Sequence, residues 1–568
     1  MSGPTSIDDI DLTPLPGKTY FNVDRDWREE VIYFLMTDRF QDSQTRPAVS
    51  QADRSLGFAT DDKFYGGTLR GITQHLNYVA GLGCTAIWLS PIFENNADAY
   101  HGYDINNYLN VDPHFGTKDD LIELVETAHA FERDGEPWPI RIILDVVLNH
   151  SGNNWSYPGD APYLYFADQQ FPFGAWRRAD RPVPTELRDP SFYHRRGQIT
   201  NYDSPLEAQH GDIATLKDYA NEDDAVGSFV VNALIKAHCY WLREADVDGF
   251  RVDAVKHMNP VACSWFCSNV REYAQSLGKR HFFLFGEVAT PSDDVYNRYI
   301  GPSTSVRDST VFFGLDSVLD FRLAEGVFGD SDNAPLRDVL KGFKGPQTLF
   351  NRIEAQRQRA LNRAELGRFL VTFVDNHDSF WQPTGRYGNG ADDEQIIGAA
   401  GFLLCSLGTP CIYYGMEQGL SGQGGDRQIR EALFDSKPGG KTLLNVDCRI
   451  YRAIADIAEV RHGSQPLRYG RMYYRQISAD GIHYGLPFGS DYILAFSRLL
   501  YGSEVLVAYN VSASQQSYAV VVDSDLHGDG VPMRFLYGDS GTVPVETAPD
   551  STRFVRLSLG PHELVILK

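Results

Sequence analysis

Compact apolar runs alternate with amphipathic stretches along most of the chain, the pattern of buried strands each followed by a helix. Val31-Ile-Tyr-Phe-Leu-Met36 is the first such run and ends in Thr-Asp-Arg-Phe, which puts charges at a strand's C-terminal end. A polar loop leads to Tyr65-Gly-Gly67, and Ile72, Leu76 and Val79 then share one face of a predicted helix closed by Gly81 and Gly83. Thr85-Ala-Ile-Trp-Leu-Ser90 reads as the second strand, and Thr117-Lys-Asp-Asp120 as a capping box for a helix marked by Leu121, Leu124, Val125 and Ala128. Ile140-Arg-Ile-Ile-Leu-Asp-Val-Val147 is the third strand. From His150 to about Glu222 the chain turns rich in Pro, Gly, Tyr and Asp without a sustained period. That is too long for a loop in a compact domain, so it predicts a small inserted subdomain.

Alternation resumes with a helix bearing Val231, Leu234, Ile235, His238 and Leu242, then a strand at 248–253, a further helix and His281-Phe-Phe-Leu-Phe-Gly-Glu287. Val318-Leu-Asp-Phe321, Phe369-Leu-Val-Thr-Phe-Val374 and Cys411-Ile-Tyr-Tyr414 bring the count to eight strands, the signature of a parallel (β/α)8 TIM barrel. After about residue 463 the runs become short, β-rich and separated by Gly, Ser and Asp, as in 492–498, 504–509 and 553–558. The predicted organisation is α/β: barrel residues 1–149 with a loosely organised lead-in over 1–28, the insert over 150–222 after strand three, barrel again over 223–463, and a C-terminal antiparallel β-sandwich over 464–568.

Composition narrows the partners. A chain of 568 residues with 42% apolar content has ample core for a large domain with smaller attachments. The net charge of −23 opposes nucleic acid and anionic membrane surfaces. With 30 Tyr and 8 Trp, an acidic chain of this kind suits a neutral, polyhydroxylated ligand that stacks on rings. The longest uncharged run, Ile396 to Gly415, has the length of a membrane span, but Gly408-Thr-Pro410 divides it into a helix and a strand. Seven cysteines form no disulfide framework; Cys263 and Cys267 lie four apart without a second zinc-spaced pair, so buried free thiols are expected. The first 20 residues are polar and acidic, unlike a signal peptide, which with the unpaired thiols gives a cytoplasmic expectation.

The chemistry gathers where strands stop, the C-terminal face on which barrels of this type place their sites. In Gly249-Phe-Arg-Val-Asp-Ala-Val-Lys-His257, Arg251 and Asp253 lie two apart and point to the same side of a strand. The guanidinium is expected to hold Asp253 ionised. Alone, the stretch also fits an Arg–Asp pair that merely closes a strand. Strand three ends in Asp145-Val-Val-Leu-Asn-His150, strand five in Gly286-Glu287 and strand seven in Asp375-Asn-His-Asp378. Burying this many carboxylates together is costly unless function retains them.

These four stretches, in this order, resemble the signature regions of the α-amylase family of glycoside hydrolases. Phe64-Tyr-Gly-Gly67, Ala86-Ile-Trp-Leu-Ser-Pro91, Tyr100-His-Gly-Tyr103 and Gly408-Thr-Pro-Cys-Ile-Tyr-Tyr-Gly415 match supporting phrases of that family. The resemblance runs from about residue 30 to the C-terminus. It implies a retaining enzyme acting on α-1,4 bonds of starch-type glucans or maltooligosaccharides. Asp253 is then the nucleophile, Glu287 the acid/base and Asp378 the third carboxylate, which holds hydroxyls of the sugar being cleaved. His150 and His377 match sugar-contacting histidines and Tyr103 the ring on which that sugar stacks, with Arg251 supporting the nucleophile. Lys256 and His257 match a pair on the leaving-group side, though they also fit a solvated helix start. Calcium is implied through Asn149, which also fits a hydrogen-bonded structural amide, and through Asp212 in His-Gly-Asp-Ile-Ala, where Gly211 replaces the usual Pro. A transglycosylase on the same residues remains open, with Phe380 and Trp381 as acceptor-side aromatics; so does a silent, glucan-binding barrel, although such relatives have lost the carboxylates kept here.

Overall fold

The computed structural model describes residues 3–49, 57–58, 61–222, 224–301, 313–326, 333–357, 370–379 and 385–568. Eight parallel strands form the central sheet: β1 (Ile32–Leu35), β2 (Ala86–Leu89), β3 (Arg141–Val147), β4 (Gly249–Asp253), β5 (Phe283–Gly286), β6 (Ser317–Val318), β7 (Val371–Thr372) and β8 (Thr409–Tyr413). Their order is β6-β5-β4-β3-β2-β1-β8-β7, and a parallel bridge between Leu319 and Val371 joins the two ends into a barrel. All seven residues of β3 are buried, as expected of a strand with side chains in the barrel on one face and under helices on the other.

Helices cover the outside. The predicted Thr117–Asp120 capping box is present: Thr117 Oγ1 accepts from Asp120 N at 3.2 Å and Asp120 Oδ2 accepts from Thr117 N at 2.8 Å. The helix expected around Ile72, Leu76 and Val79 is two short ones, Leu69–Thr73 and Leu76–Gly81. The break falls at His75, whose ring Nδ1 bonds Gly71 O at 2.7 Å and whose backbone leaves helical geometry. The uncharged run at 396–415 is split as its Gly-Thr-Pro predicts, into a helix at Asp393–Cys405 and β8. Among the described residues no helix is long and apolar enough to cross a membrane. All seven cysteines, Cys263 and Cys267 included, are buried free thiols.

The lead-in is more firmly held than its irregular sequence suggests. Lys279 Nζ donates to Phe21 O and Asp246 O, both at 3.0 Å, and Phe21 N donates to Asp246 Oδ2 at 2.8 Å. Trp27 Nε1 reaches His281 O at 2.7 Å. A segment fastened through its backbone to buried charges needs no periodicity of its own.

Between β3 and the helix Ala225–Ala245 the chain leaves the barrel, and its exit and return pair at the base: Ser151 lies opposite Lys217 and His150 opposite Asp218. Buried rings of Trp155, Tyr157, Tyr193 and Tyr219 give this insert its own small core. After the helices Arg449–His462 and Gln465–Tyr469 come nine antiparallel strands, β9 (Arg471–Tyr474), β10 (Ile477–Ser478), β11 (Ile493–Leu500), β12 (Ser503–Asn510), β13 (Gln516–Val521), β14 (Pro532–Tyr537), β15 (Thr542–Thr547), β16 (Arg553–Leu559) and β17 (Leu564–Leu567). β11 touches β13 although six places separate them in the sheet order, so the two wings fold over one core. Gly398 lets this domain dock: a Cβ there would stand 2.1 Å from the Tyr509 ring.

Candidate active site

Arg251 sits at the centre of the barrel's C-terminal face, fully buried, and joins three strands. In register, Arg251 lies between Asp145 on β3 and Phe285 on β5, and Asp253 and Glu287 follow two positions further up their strands. Its Nη1 donates to Asp145 Oδ1 at 2.8 Å, Asp145 Oδ2 at 3.0 Å and Asp253 Oδ1 at 2.6 Å, and its Nη2 to Glu287 Oε2 at 2.6 Å. One planar guanidinium thus holds the Asp253 and Glu287 carboxyls side by side, the role its fork geometry suits. Immediately after Asp253 the backbone of Ala254 turns left-handed (φ 49°) and its N–H donates to Glu287 Oε2 at 3.3 Å. Backbone strain of this kind at a non-glycine residue clusters at functional sites.

Burial sets the protonation. Glu287 is pushed up to about 8 by desolvation, with Arg251 opposing and the Asp253 and Asp378 charges adding to the rise. Asp253 is raised to about 6, where the sequence led us to expect a lowered value: desolvation outweighs the attraction of Arg251, and Asp145 adds repulsion. Asp145 is likewise raised to about 6 by burial, against Arg251.

Asp378, just beyond β7, completes the group. Arg430 Nη2 donates to its Oδ1 at 2.6 Å and His377 Nε2 stands 3.1 Å from its Oδ2. Tyr103 OH lies 2.9 Å from Asp145 Oδ2 and 2.7 Å from His377 Nε2, so its single proton serves one acceptor at a time. The Tyr103 ring stacks on His377, centroids 5.5 Å apart. His150 is buried with no well-formed hydrogen bond at either ring nitrogen, and desolvation holds it neutral, down to about 3. Asp253, Glu287 and Asp378 all open onto one cleft of about 550 Å3, walled by Tyr103 and His150 on the barrel side and by Tyr202 of the insert.

The sequence profile for the α-amylase catalytic domain matches residues 34–441. The chain belongs to the α-amylase family. This member is 29% identical to an α-amylase of Streptomyces lividans, over 95% of this chain and 60% of that one, and 29% identical to an α-amylase of Saccharomycopsis fibuligera, over 87% and 84%. It is 27% identical to a cyclomaltodextrin glucanotransferase of Thermoanaerobacterium thermosulfurigenes, over 88% and 64%. The chain spans 60% of the Streptomyces protein and 39% of a β/α-amylase from Paenibacillus polymyxa. In fold it is similar to an α-amylase of Geobacillus thermoleovorans complexed with acarbose (TM-score 0.67, 24% identity, 96% of this chain and 99% of that one). It is similar also to the cyclomaltodextrin glucanotransferase CldA, described as having a three-domain ABC distribution (TM-score 0.68, 24% identity, 95% and 98%).

Within this α-amylase-family site, Lys256 and His257 both line the cleft on a short turn after β4. His257 Nδ1 bonds Ala208 O of the insert at 2.7 Å, and burial lowers its pKa to about 4. Phe380 and Trp381 lie outside the described residues. Two residues of the site went unremarked in the sequence. Arg430 follows β8 in a stretch of mixed charge, and His101, held down at about 3 by burial, accepts from Tyr103 N through Nδ1 at 3.1 Å. His101 lay within a matched phrase, which was a usable signal; Arg430 had none.

Asn149 and Asp212, through which calcium was expected, both lie against Asp218, whose N donates to Asp212 Oδ1 at 3.2 Å. Asn149 Nδ2 donates to Asp218 Oδ1 at 3.0 Å, and its own Oδ1 is buried without a hydrogen-bond partner. Asp212 is countered by a protein cation, with Lys217 Nζ 3.5 Å from its Oδ2, and also accepts from Tyr157 OH at 2.9 Å. Asp218 Oδ2 is taken by His194. Calcium requires six to eight oxygen ligands, and the ammonium and imidazole lying on these carboxylates do not fit that requirement. A different trio, His194, His210 and Glu222, does bring three metal-capable atoms within 4.8 Å of one another.

Proposed function

We propose that this chain is a retaining glycoside hydrolase of α-1,4-glucans such as starch or maltooligosaccharides. The observation that carries the reading is the placement of two neighbouring carboxyls, Asp253 and Glu287, on one buried guanidinium at the floor of the cleft, where burial raises Glu287 above its ordinary range. A retaining glycosidase needs such a pair, one carboxyl as nucleophile and one as acid/base.

Asp253, on the floor of the cleft, attacks the anomeric carbon as Glu287 donates its proton to the departing glycosidic oxygen. A bond forms between the sugar and Asp253, and the shortened glucan leaves. Glu287, now a carboxylate, removes a proton from water, which attacks the same carbon and releases Asp253 with net retention. Asp378, fixed by Arg430, accepts hydrogen bonds from hydroxyls of the bound sugar and favours its distorted, oxocarbenium-like form over the ground state. Tyr103 offers that ring an apolar face, and His150 offers it an uncommitted imidazole. Lys256 and His257 flank the side on which the leaving group departs.

Transfer to a sugar hydroxyl instead of water uses the same intermediate, and relatives named cyclomaltodextrin glucanotransferases keep that second reading in view. Maltoheptaose separates the two. Hydrolysis yields only shorter glucans whose first-formed anomer is α by NMR; transfer yields lengthened, cyclic or branched products. Initial β products would contradict both readings, and a fully active Asp253→Asn variant would point to a barrel that works some other way.

A further inference from the structure

In the insert, at residues that do not line the cleft, two imidazoles and a carboxylate converge. Glu222 Oε1 meets His194 Nε2 and, at 3.2 Å, His210 Nε2, and the two rings lie 4.8 Å apart between centroids. The other nitrogen of His194, Nδ1, is bonded at 2.5 Å to Oδ2 of Asp218, whose side chain is wholly buried. Asp218 Oδ1 in turn accepts from Asn149 Nδ2 at 3.0 Å. Metal-bound histidines characteristically give their second nitrogen to such a carboxylate, which fixes the tautomer and aims the first nitrogen at the ion. Here that orientation is already built: Nε2 of His194 faces Glu222, and the ligand atoms of all three residues lie within 4.8 Å of one another.

The donor set selects the ion. Two imidazoles with one carboxylate suit zinc, copper, nickel or cobalt, whereas calcium and magnesium prefer oxygen alone. His210 and Glu222 are partly exposed, their side chains at 23% and 36%, which leaves an entry path and room for a water as fourth ligand. We propose that His194, His210 and Glu222 form a transition-metal site, of the zinc class, where the family resemblance led to calcium.

The three ligands come from different segments. His194 follows Tyr193, which pairs with Tyr219; His210 ends the helix Pro205–His210; Glu222 lies just before the Asp224 cap of the long helix Ala225–Ala245. An ion there staples the outgoing and returning arms of the insert. It also fixes the helix whose Ala208 carbonyl holds His257, so the same staple stiffens one wall of the cleft. No ligand is shared with the three carboxyls, and the inference stands whether or not the glycosidase reading does.

The test uses the full chain stripped by chelator. Zn2+ should bind at one equivalent by calorimetry and raise the melting temperature, and Co2+ should give the intense visible bands of a four-coordinate site. A hundredfold excess of Ca2+ should leave those bands unchanged. His210→Gln and Glu222→Gln, both at half-exposed positions, should each weaken Zn2+ at least as much as the roughly 10–100-fold lost with an orienting partner, while the metal-free melting temperature and activity stay near those of the parent. Absence of stoichiometric Zn2+ binding would overturn the proposal, as would displacement of Co2+ by Ca2+ or unchanged affinity in both variants. If a variant failed to fold by circular dichroism, Asp218→Asn would take its place, with the same 10–100-fold expectation.

Discussion

The floor of the cleft and the base of the insert both bury several acids, but they balance them differently. On the floor one guanidinium, Arg251, faces three carboxyls: Asp145, Asp253 and Glu287. At the insert base Lys217 answers Asp212, and His194 lies between Asp218 and Glu222. A shortage of cations leaves carboxyls competing for protons, and Glu287 rises to about 8. At the insert base only Glu222 falls below the usual carboxylate range, because bonds from His194 and His210 overcome its desolvation, whereas burial still raises Asp212 and lifts Asp218 to about 7. The first cluster lines the cleft; the second lies where the exit and return of the insert pair.

Substitutions that change these balances should separate the two regions. The largest effect is expected for Asp253→Asn, which removes the proposed nucleophile: kcat should fall at least about 10⁴-fold, the scale on which members of a catalytic unit matter, with the melting temperature within a few degrees. The same variant should lower the pKa of Glu287, because one of its repelling charges is gone, and the residual activity should lose its basic limb at lower pH. Next comes Arg251→Met, which strips three buried acids of their only shared cation and should cost roughly 3–5 kcal/mol in denaturant unfolding. Those acids then have folded-state pKa values above their unfolded ones, so the variant's stability should be greatest at low pH and decline as pH rises through neutrality.

Lys217→Met should cost less, about 2 kcal/mol, because Asp212 keeps its bond from Tyr157 and loses one charged partner. Its kcat on maltooligosaccharides should stay within a few-fold of the parent, and a thousandfold loss would erase the distinction drawn between the regions. The gentlest probe is pH. A nucleophile that must be ionised and an acid that must be protonated give a bell in kcat/KM, with activity lost below about 6 as Asp253 protonates and above about 8 as Glu287 ionises. The acidic limb belongs to Asp145 and Asp253 together, since both titrate there on the same Arg251.

What could be read from the chain follows the same divide. The barrel was legible because strands buried on both faces are continuous apolar runs, so Val31–Met36 and Ile140–Val147 announced themselves, and their ends pointed to Asp253 and Glu287. Short β6 and β7 were read too long, since two-residue strands leave no period. The direction of the Asp253 shift was misjudged because sequence shows the neighbouring Arg251 but not how deeply both are buried. In the insert nothing periodic fixes position. Asp212 was singled out and Asp218, six residues on, went unremarked; only the folded chain shows that Asn149 bonds Asp218. Arg430 was invisible for the reason the lead-in was undervalued: each matters through a contact with a remote segment, Arg430 with Asp378 and Phe21 with Lys279.

The claim that Asp253 and Glu287 divide the labour of nucleophile and acid is most directly tested by trapping the intermediate. Incubating the enzyme with a 5-fluoro-α-glucosyl fluoride and sequencing its peptides by mass spectrometry should place one glucosyl residue on Asp253, with none on Asp253→Asn. A label on another carboxylate, or active enzyme that never carries a label and releases the β anomer, would contradict that division.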